Sequence, residues 1–230
     1  MRTRFDEHLS RKIFHIVAGT AIAFLYVDVF TRLEAALWLF GLGLGLLLLD
    51  LARLRSPGLN KAVFRVYGPL MREGERDGPS AQLYYVLGLF WAVFVLPKTI
   101  GVQAILTLAW MDPIAALFGV KFGRTPWTTL VPQAGDVVRS KTFEGSLAGF
   151  LAAFLAGVVA WTGPWAAVSQ PNGLYWPPPL LIAGLSTLGG LAAVLAEALP
   201  SQWDDNATIP FWTGLAVWFA ASVVGVPMNF

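Results

Sequence analysis

The sequence has no cysteine and only two histidines. The first absence excludes a disulfide scaffold, a thiolate metal site and a cysteine nucleophile. The second leaves too few ligands for a zinc centre. Charge is scarce as well. Asp, Glu, Lys and Arg make up 13% of the 230 residues, roughly half the share of a soluble domain. Disordered chains are polar and charged, so disorder is excluded. A net charge of +2 gives no reason to expect nucleic acid as a partner.

What is there is apolar. Hydrophobic residues reach 56%, mean hydropathy is +0.62, and ten of the aromatic residues are Trp. So few charges cannot cover a soluble surface, and abundant Trp suits a protein with two membrane interfaces. The composition predicts an all-α, polytopic, integral membrane protein. Nothing divides the chain, so residues 1–230 read as one domain.

A membrane span needs about 20 mostly apolar residues. Seven stretches approach this: Ile13–Phe30, Leu33–Leu51, Ala81–Leu96, Thr99–Val120, Gly145–Thr162, Pro179–Leu199 and Ile209–Val226. Gly41 and Gly45 in the second lie at GxxxG spacing, which predicts close helix packing there. Ala21-Ile22-Ala23 imitates a signal-peptide cleavage site but sits inside the apolar run, so cleavage is not expected. With an internal N-terminus and seven crossings, fourteen of the sixteen Lys and Arg face the cytoplasm, and Arg32 and Lys98 fall outside. That asymmetry predicts a cytoplasmic N-terminus and an external C-terminus.

Most charges lie in the connections, where contact with water or headgroups accounts for them. Asp112 and Glu197 lie inside spans. An acid at mid-span costs about 2.5–3.5 kcal/mol on insertion scales and calls for a partner or a wet cavity. An internal ion pair would explain either residue; so would a site. Below Asp112, Ala116, Gly119 and Gly123 share a helix face, open either to another backbone or to phosphate. In SKTFEGS (Ser140–Ser146), Lys141 stands at the start of the fifth span. Thr142 is placed as an N-cap, and Glu144 favours the helix dipole. A helix N-terminus beside a Lys is also a phosphate site. EALPSQWDDNATIP (Glu197–Pro210) holds Glu197, Asp204 and Asp205 with no basic residue, and oxygen ligands of this kind suit Mg²⁺ with substrate phosphates. SRKIFHIVAG (Ser10–Gly19) puts Arg11 and His15 one turn apart, fit for headgroup contact or for a nucleotide. All four clusters fall on the cytoplasmic side. They predict a nucleotide-dependent enzyme acting on a membrane lipid, through positioning and charge neutralisation. An ion-coupled transporter would be expected to place such residues near the midplane.

These motifs resemble the polyprenol kinase family, which includes dolichol kinase, phytol kinase and the CTP-dependent diacylglycerol kinase and is distantly similar to phosphatidate cytidylyltransferase. The likeness runs through Arg11-Lys12 with His15, Asp112-Pro113 with Ala115, Gly119 and Gly123, Lys141-Thr142, Glu144-Gly145-Ser146, and Glu197 with Asp204-Asp205-Asn206 and Ile209-Pro210. It implies CTP as donor, a divalent metal and a lipid hydroxyl as acceptor. The length is nearer the phytol-kinase-like members, which ranks a shorter isoprenoid alcohol ahead of diacylglycerol. The compact Asp204-Asp205-Asn206 segment favours a kinase over a cytidylyltransferase.

The resulting expectation is a CTP-dependent lipid-alcohol kinase. Asp112, Lys141, Glu144, Glu197 and Asp205 form its catalytic set, and Asp112, Glu197, Asp204 and Asp205 hold Mg²⁺. Arg11, Lys12, His15, Gly119, Gly123, Lys141, Thr142 and Asn206 meet the nucleotide and its phosphates. The expected partners are CTP and a membrane lipid, with a second copy of the chain left open.

Overall fold

The computed structural model describes residues 4–126, 141–171, 173–198 and 203–230. Ser140 and residues 199–202, which belong to two of the motifs, lie outside them. The described residues form eight α-helices: α1 (Arg4–Asp28), α2 (Arg32–Arg55), α3 (Pro57–Tyr67), α4 (Ala81–Val95), α5 (Lys98–Phe122), α6 (Phe143–Thr162), α7 (Pro179–Ala198) and α8 (Asp205–Val223). The fold is all-α and polytopic, as the composition predicts. Between α6 and α7, β1 (Val168–Gln170) pairs antiparallel with β2 (Gly173–Tyr175). Gly173 takes a φ of +120° there, which side chains other than glycine rarely adopt.

Five of these helices are long and apolar enough to cross a membrane: Leu9–Asp28 of α1, and α2, α5, α6 and α7. The other two expected spans are present as α4 and α8. With 15 residues, α4 reaches about 22 Å at 1.5 Å per residue, short of the ~30 Å hydrocarbon core. The first turn of α8 is polar, and Pro210 lies inside the helix.

Nearly every residue of α5 from Thr99 to Ala109 is buried, and the other helices pack around it. Small residues let backbones come close. A Cβ at Gly101 would stand 2.7 Å from the carbonyl oxygen of Ala92, and one at Gly145 would stand 2.7 Å from that of Ala115. Large apolar side chains such as Leu37, Trp38, Leu44, Leu48, Leu155 and Phe219 stay exposed on the outside, where a lipid tail is as good a neighbour as another Leu. The GxxxG expectation for α2 is not met. A Cβ at Gly41 or Gly45 would meet nothing within 4 Å among the described residues, while one at Gly43, on another face, would lie 3.5 Å from Val86 Cγ1. The glycine pair faces the outer, leucine-rich side of α2, where no described helix lies.

A polar tie crosses the interior. The indole of Trp161 donates to Gln103 Oε1 at 2.6 Å, and Gln103 Nε2 donates to the carbonyl of Leu185 at 3.2 Å, joining α5, α6 and α7. At one end of the bundle, the N–H of Lys98 donates to the carbonyl of Asn229 at 2.8 Å, and Asn229 Nδ2 to that of Trp165 at 2.8 Å. The opposite end gathers the starts of α4, α6 and α8 and the ends of α2, α5 and α7. The polar clusters lie there.

Candidate active site

Asp112 stands just past the middle of α5, followed by Pro113, which denies the carbonyl of Ala109 its usual intrahelical donor. Beyond it, α6 crosses α5 at close range. Thr142 caps α6, its Oγ accepting from the N–H of Gly145 at 3.2 Å. A Cβ at Gly123 would lie 2.6 Å from Thr142 Cγ2, and one at Gly119 would lie 3.2 Å from Thr142 Oγ1 and 3.8 Å from Gly145 Cα. The space beside both glycines, expected to admit phosphate, is filled by Thr142 and Gly145. The residue contacting Gly149 of α6 is Ala115, at 2.9 Å from a Cβ built there, rather than Ala116 of the expected stripe. This packing delivers Lys141 to the end of α7.

Lys141 Nζ donates to the backbone carbonyl of Glu197. It lies 3.4 Å from Glu197 Oε1 and 3.4 Å from Asp205 Oδ2. The carboxylates of Glu197 on α7 and Asp205 on α8 thus share the ammonium group of Lys141, which stands just before the α6 cap. Asp204 is the N-cap of α8: its Oδ1 accepts from the N–H of Asn206 at 3.0 Å, and its Oδ2 lies 3.2 Å from Arg72 Nη1. Asn206 is buried, and its Nδ2 donates to the carbonyl of Ala81 at 3.3 Å, fastening α8 to α4. Glu144 accepts from the N–H and the hydroxyl of Thr125 at 3.3 and 3.1 Å. It ties α6 to the segment after α5.

From α1, Lys12 and His15 are buried. The His15 ring centroid lies 4.4 Å from that of Tyr85, whose hydroxyl donates to the carbonyl of His15 at 3.0 Å. One turn on, Gly19 fits against the Tyr85 hydroxyl and Ala109, bringing α1 onto α5. Arg11 Nη1 and His15 Nδ1 are buried without a hydrogen-bond partner among the described residues. Asp112 likewise has no hydrogen bond or ion pair there, yet it interacts electrostatically with Arg11, His15, Arg72, Glu197 and Asp205.

The sequence resembles named kinases over most of its length. It is 33% identical to the CTP-dependent diacylglycerol kinase 1 of Saccharomyces cerevisiae over 91% of this chain and 72% of that protein. For the protein of the same name from Eremothecium gossypii, identity is 34%, over 89% of this chain and 64% of the relative. For that from Schizosaccharomyces pombe it is 30%, over 70% and 69%. The chain belongs to the polyprenol kinase family. No family model matches it, and neither does any solved structure.

Against that family reading, the structure adds residues that the sequence did not single out. Arg53 is 1% exposed. It donates to Asp50 at 2.6 Å, to Asn60 at 3.2 Å, and to the carbonyls of Glu75 and Gly78 at 2.9 and 2.6 Å. Asp50 in turn accepts from the N–H and hydroxyl of Ser80 at 2.8 and 2.9 Å. This network folds residues 56–80 over the site end and presents Arg72 to Asp204. Burial pushes the Glu75 carboxyl above its ordinary range, against its hydrogen bond from Ala81 N–H and the charge of Arg72. Burial would lower Arg72, but Asp204, Asp112, Glu75 and Asp205 outweigh it and hold the guanidinium above its usual value.

Among the described residues, no three acidic or histidine side chains form a ready donor set for a metal. Asp204 is committed to the α8 cap and Arg72. Glu197 and Asp205 already hold a cation, the Lys141 ammonium, and Asp112 has none. Mg²⁺ needs no more than one or two carboxylates when substrate phosphates complete its shell, and the Glu197–Asp205 pair, which already holds one cation, fits that requirement.

Proposed function

We propose that this chain is a CTP-dependent lipid kinase that phosphorylates the free hydroxyl of diacylglycerol at the cytoplasmic face of a membrane. The observation that carries the reading is the meeting of Arg11, Asp112, Lys141, Glu197 and Asp205, from four separate motifs, at one end of the bundle. The relatives named for CTP and diacylglycerol support the donor and the acceptor. They also move diacylglycerol ahead of the isoprenoid alcohols that chain length favoured. The lysine and arginine asymmetry supports a cytoplasmic site, with α4 and α8 counted as crossings.

In this reaction the lipid oxygen attacks the γ-phosphorus of CTP. The bond from that phosphorus to the β,γ-bridging oxygen breaks, and CDP leaves with the electron pair. Asp112, the carboxylate without a partner, takes the hydroxyl proton. Lys141 exchanges Glu197 and Asp205 for phosphate oxygens. Glu197 and Asp205 would hold Mg²⁺, which when bound neutralises phosphate charge and polarises the transferred group. Gly119, Gly123 and Thr142 set the α5–α6 crossing that delivers Lys141, and Asn206 fixes the start of α8.

The test is transfer of label in detergent, with diacylglycerol, phytol, farnesol and a polyprenol as acceptors. Label from the γ position of CTP should pass to diacylglycerol with release of CDP. Transfer from the α position with release of pyrophosphate would make the protein a cytidylyltransferase. Transfer only to an isoprenoid alcohol would keep the kinase and replace the substrate.

A further inference from the structure

Two arginines approach the site from the 50–80 region, and they differ. Arg53 is saturated: its guanidinium makes four hydrogen bonds within 3.2 Å and is shut away from solvent. Arg72 has one ion pair, to Asp204 at 3.2 Å, and its side chain is 42% exposed. A pair that exposed to solvent contributes little to stability, so it opens at little cost. The backbone carrying it is held firmly. Gln82 Nε2 donates to the carbonyl of Leu70 at 2.7 Å, the N–H of Glu75 to the carbonyl of Arg72 at 3.0 Å, and the N–H of Ala81 to Glu75 Oε2 at 3.2 Å.

Arg72 also has company of its own sign. It and Arg11 are close enough to repel each other, and both are drawn to Asp112. Beside them, Arg11 Nη1 and His15 Nδ1 are buried without partners, and His15 as a whole is 4% exposed. Two guanidinium groups and an imidazole around a single unpaired carboxylate leave more donors than acceptors. Buried polar atoms without partners are costly to a fold. An anion with several oxygens would remove that cost, quench the repulsion and satisfy the orphaned nitrogens together. Arginine is suited to this because its fork matches phosphate oxygens two at a time.

We propose that Arg72 is a phosphoryl-binding residue of the site, parked on Asp204 until the phosphate that is transferred arrives. The ligand chemistry is a phosphate group, either the γ-phosphate of the nucleotide or the same group once it is on the lipid. This rests on the kinase reading above and assigns a residue that none of the four sequence motifs contains.

Three measurements on purified protein in detergent test it. Arg72→Gln should raise the KM for CTP at least tenfold, while inhibition by CMP, which lacks the β- and γ-phosphates, changes less than twofold. Arg72→Lys, which keeps the charge but not the fork, should recover part of the loss. If instead Arg72→Gln leaves the KM unchanged but weakens inhibition by the lipid phosphate at least tenfold, Arg72 still binds the phosphoryl group, on the product side. Inorganic tripolyphosphate should raise the melting temperature of the wild type and not of Arg72→Gln. That arm needs no turnover, so it holds even if the wild type transfers nothing from CTP, a result that would sink the kinase reading alone. A residue that merely clamps the loop to α8 would behave otherwise. CMP and CTP would weaken together, Asp204→Asn would reproduce the defect, and tripolyphosphate would still stabilise Arg72→Gln. That pattern overturns the proposal.

Discussion

Replacing Arg53 with Met removes the guanidinium from the centre of the α2–α4 cap and leaves an apolar chain of similar length. Four hydrogen bonds within 3.2 Å are lost. Asp50 keeps Ser80 on Oδ2 but loses the cation on Oδ1, and its side chain is only 7% exposed. Breaking a buried ion pair from one side costs about 3–5 kcal/mol, and the carbonyls of Glu75 and Gly78 lose their donors as well. Thermal unfolding in detergent should show Arg53→Met well below the wild type. Asp50→Asn combined with Arg53→Met should be less damaging than the two single losses added, because the second substitution removes the stranded charge. Arg53→Lys should be intermediate, since an ammonium reaches Asp50 but cannot span Glu75 and Gly78. CTP affinity should fall with the cap, since Arg72 is positioned by it. A wild-type melting temperature for Arg53→Met would refute the reasoning, as would strict additivity in the double variant.

Other outcomes follow from the same geometry. Asp112→Asn should lower turnover at least a hundredfold, about 2.7 kcal/mol of barrier, with no loss of thermal stability; near-normal turnover would make Asp112 structural. Gly145→Val puts a branched side chain where a Cβ already meets the Ala115 carbonyl at 2.7 Å and Gly119 Cα at 3.0 Å. Overpacking of this kind costs about 1–3 kcal/mol, so both melting temperature and activity should drop, whereas Gly41→Val on the open face of α2 should leave both unchanged. Glu144→Gln should reduce turnover less than tenfold, since Glu144 serves Thr125; a loss as large as that of Asp112→Asn would return it to the catalytic set.

The helices were legible because hydrocarbon demands long apolar runs. Asp112, Lys141, Glu197 and Asp205 were legible for the opposite reason, since charge next to such a run is costly and needs an explanation. Arg53 and Arg72 were hidden by their surroundings. In a connection that also holds Arg55, Lys61, Arg65 and Arg76, every cation satisfies the same topological asymmetry, and nothing local marks the two that point inward. Their partners lie as far as 25 residues away for Arg53 and 132 for Arg72. Gly119 and Gly123 were ambiguous in principle, because a phosphate and a helix backbone both need a missing Cβ, and only the position of Thr142 decides. Asn206 read as polar and available, yet its amide reaches back to α4. The order of the sequence does not show that α4 and α8 start side by side.

The placement of charge explains how a bundle this apolar holds so polar a site. The ionisable groups of the site come from α1, α5, α7 and α8 and from Lys141 just before α6, and they gather toward one end, with only Asp112 standing well inside a span. Most of the acids there are matched locally: Lys141 serves Glu197 and Asp205, Arg72 serves Asp204, and Arg53 serves Asp50. Asp112 is the exception, placed between the lysine side and the arginine side and bonded to neither. An unmatched carboxylate is costly for folding, so its retention points to a role outside the folded chain's own contacts. A ligand that brings both a cation and several phosphate oxygens would complete both sides together. The cation would answer Asp112, and the oxygens would answer Arg11, His15 and Arg72. A metal–nucleotide complex has that composition, and a lipid alcohol alone does not. Occupancy by the nucleotide should therefore stabilise the protein far more than occupancy by the acceptor.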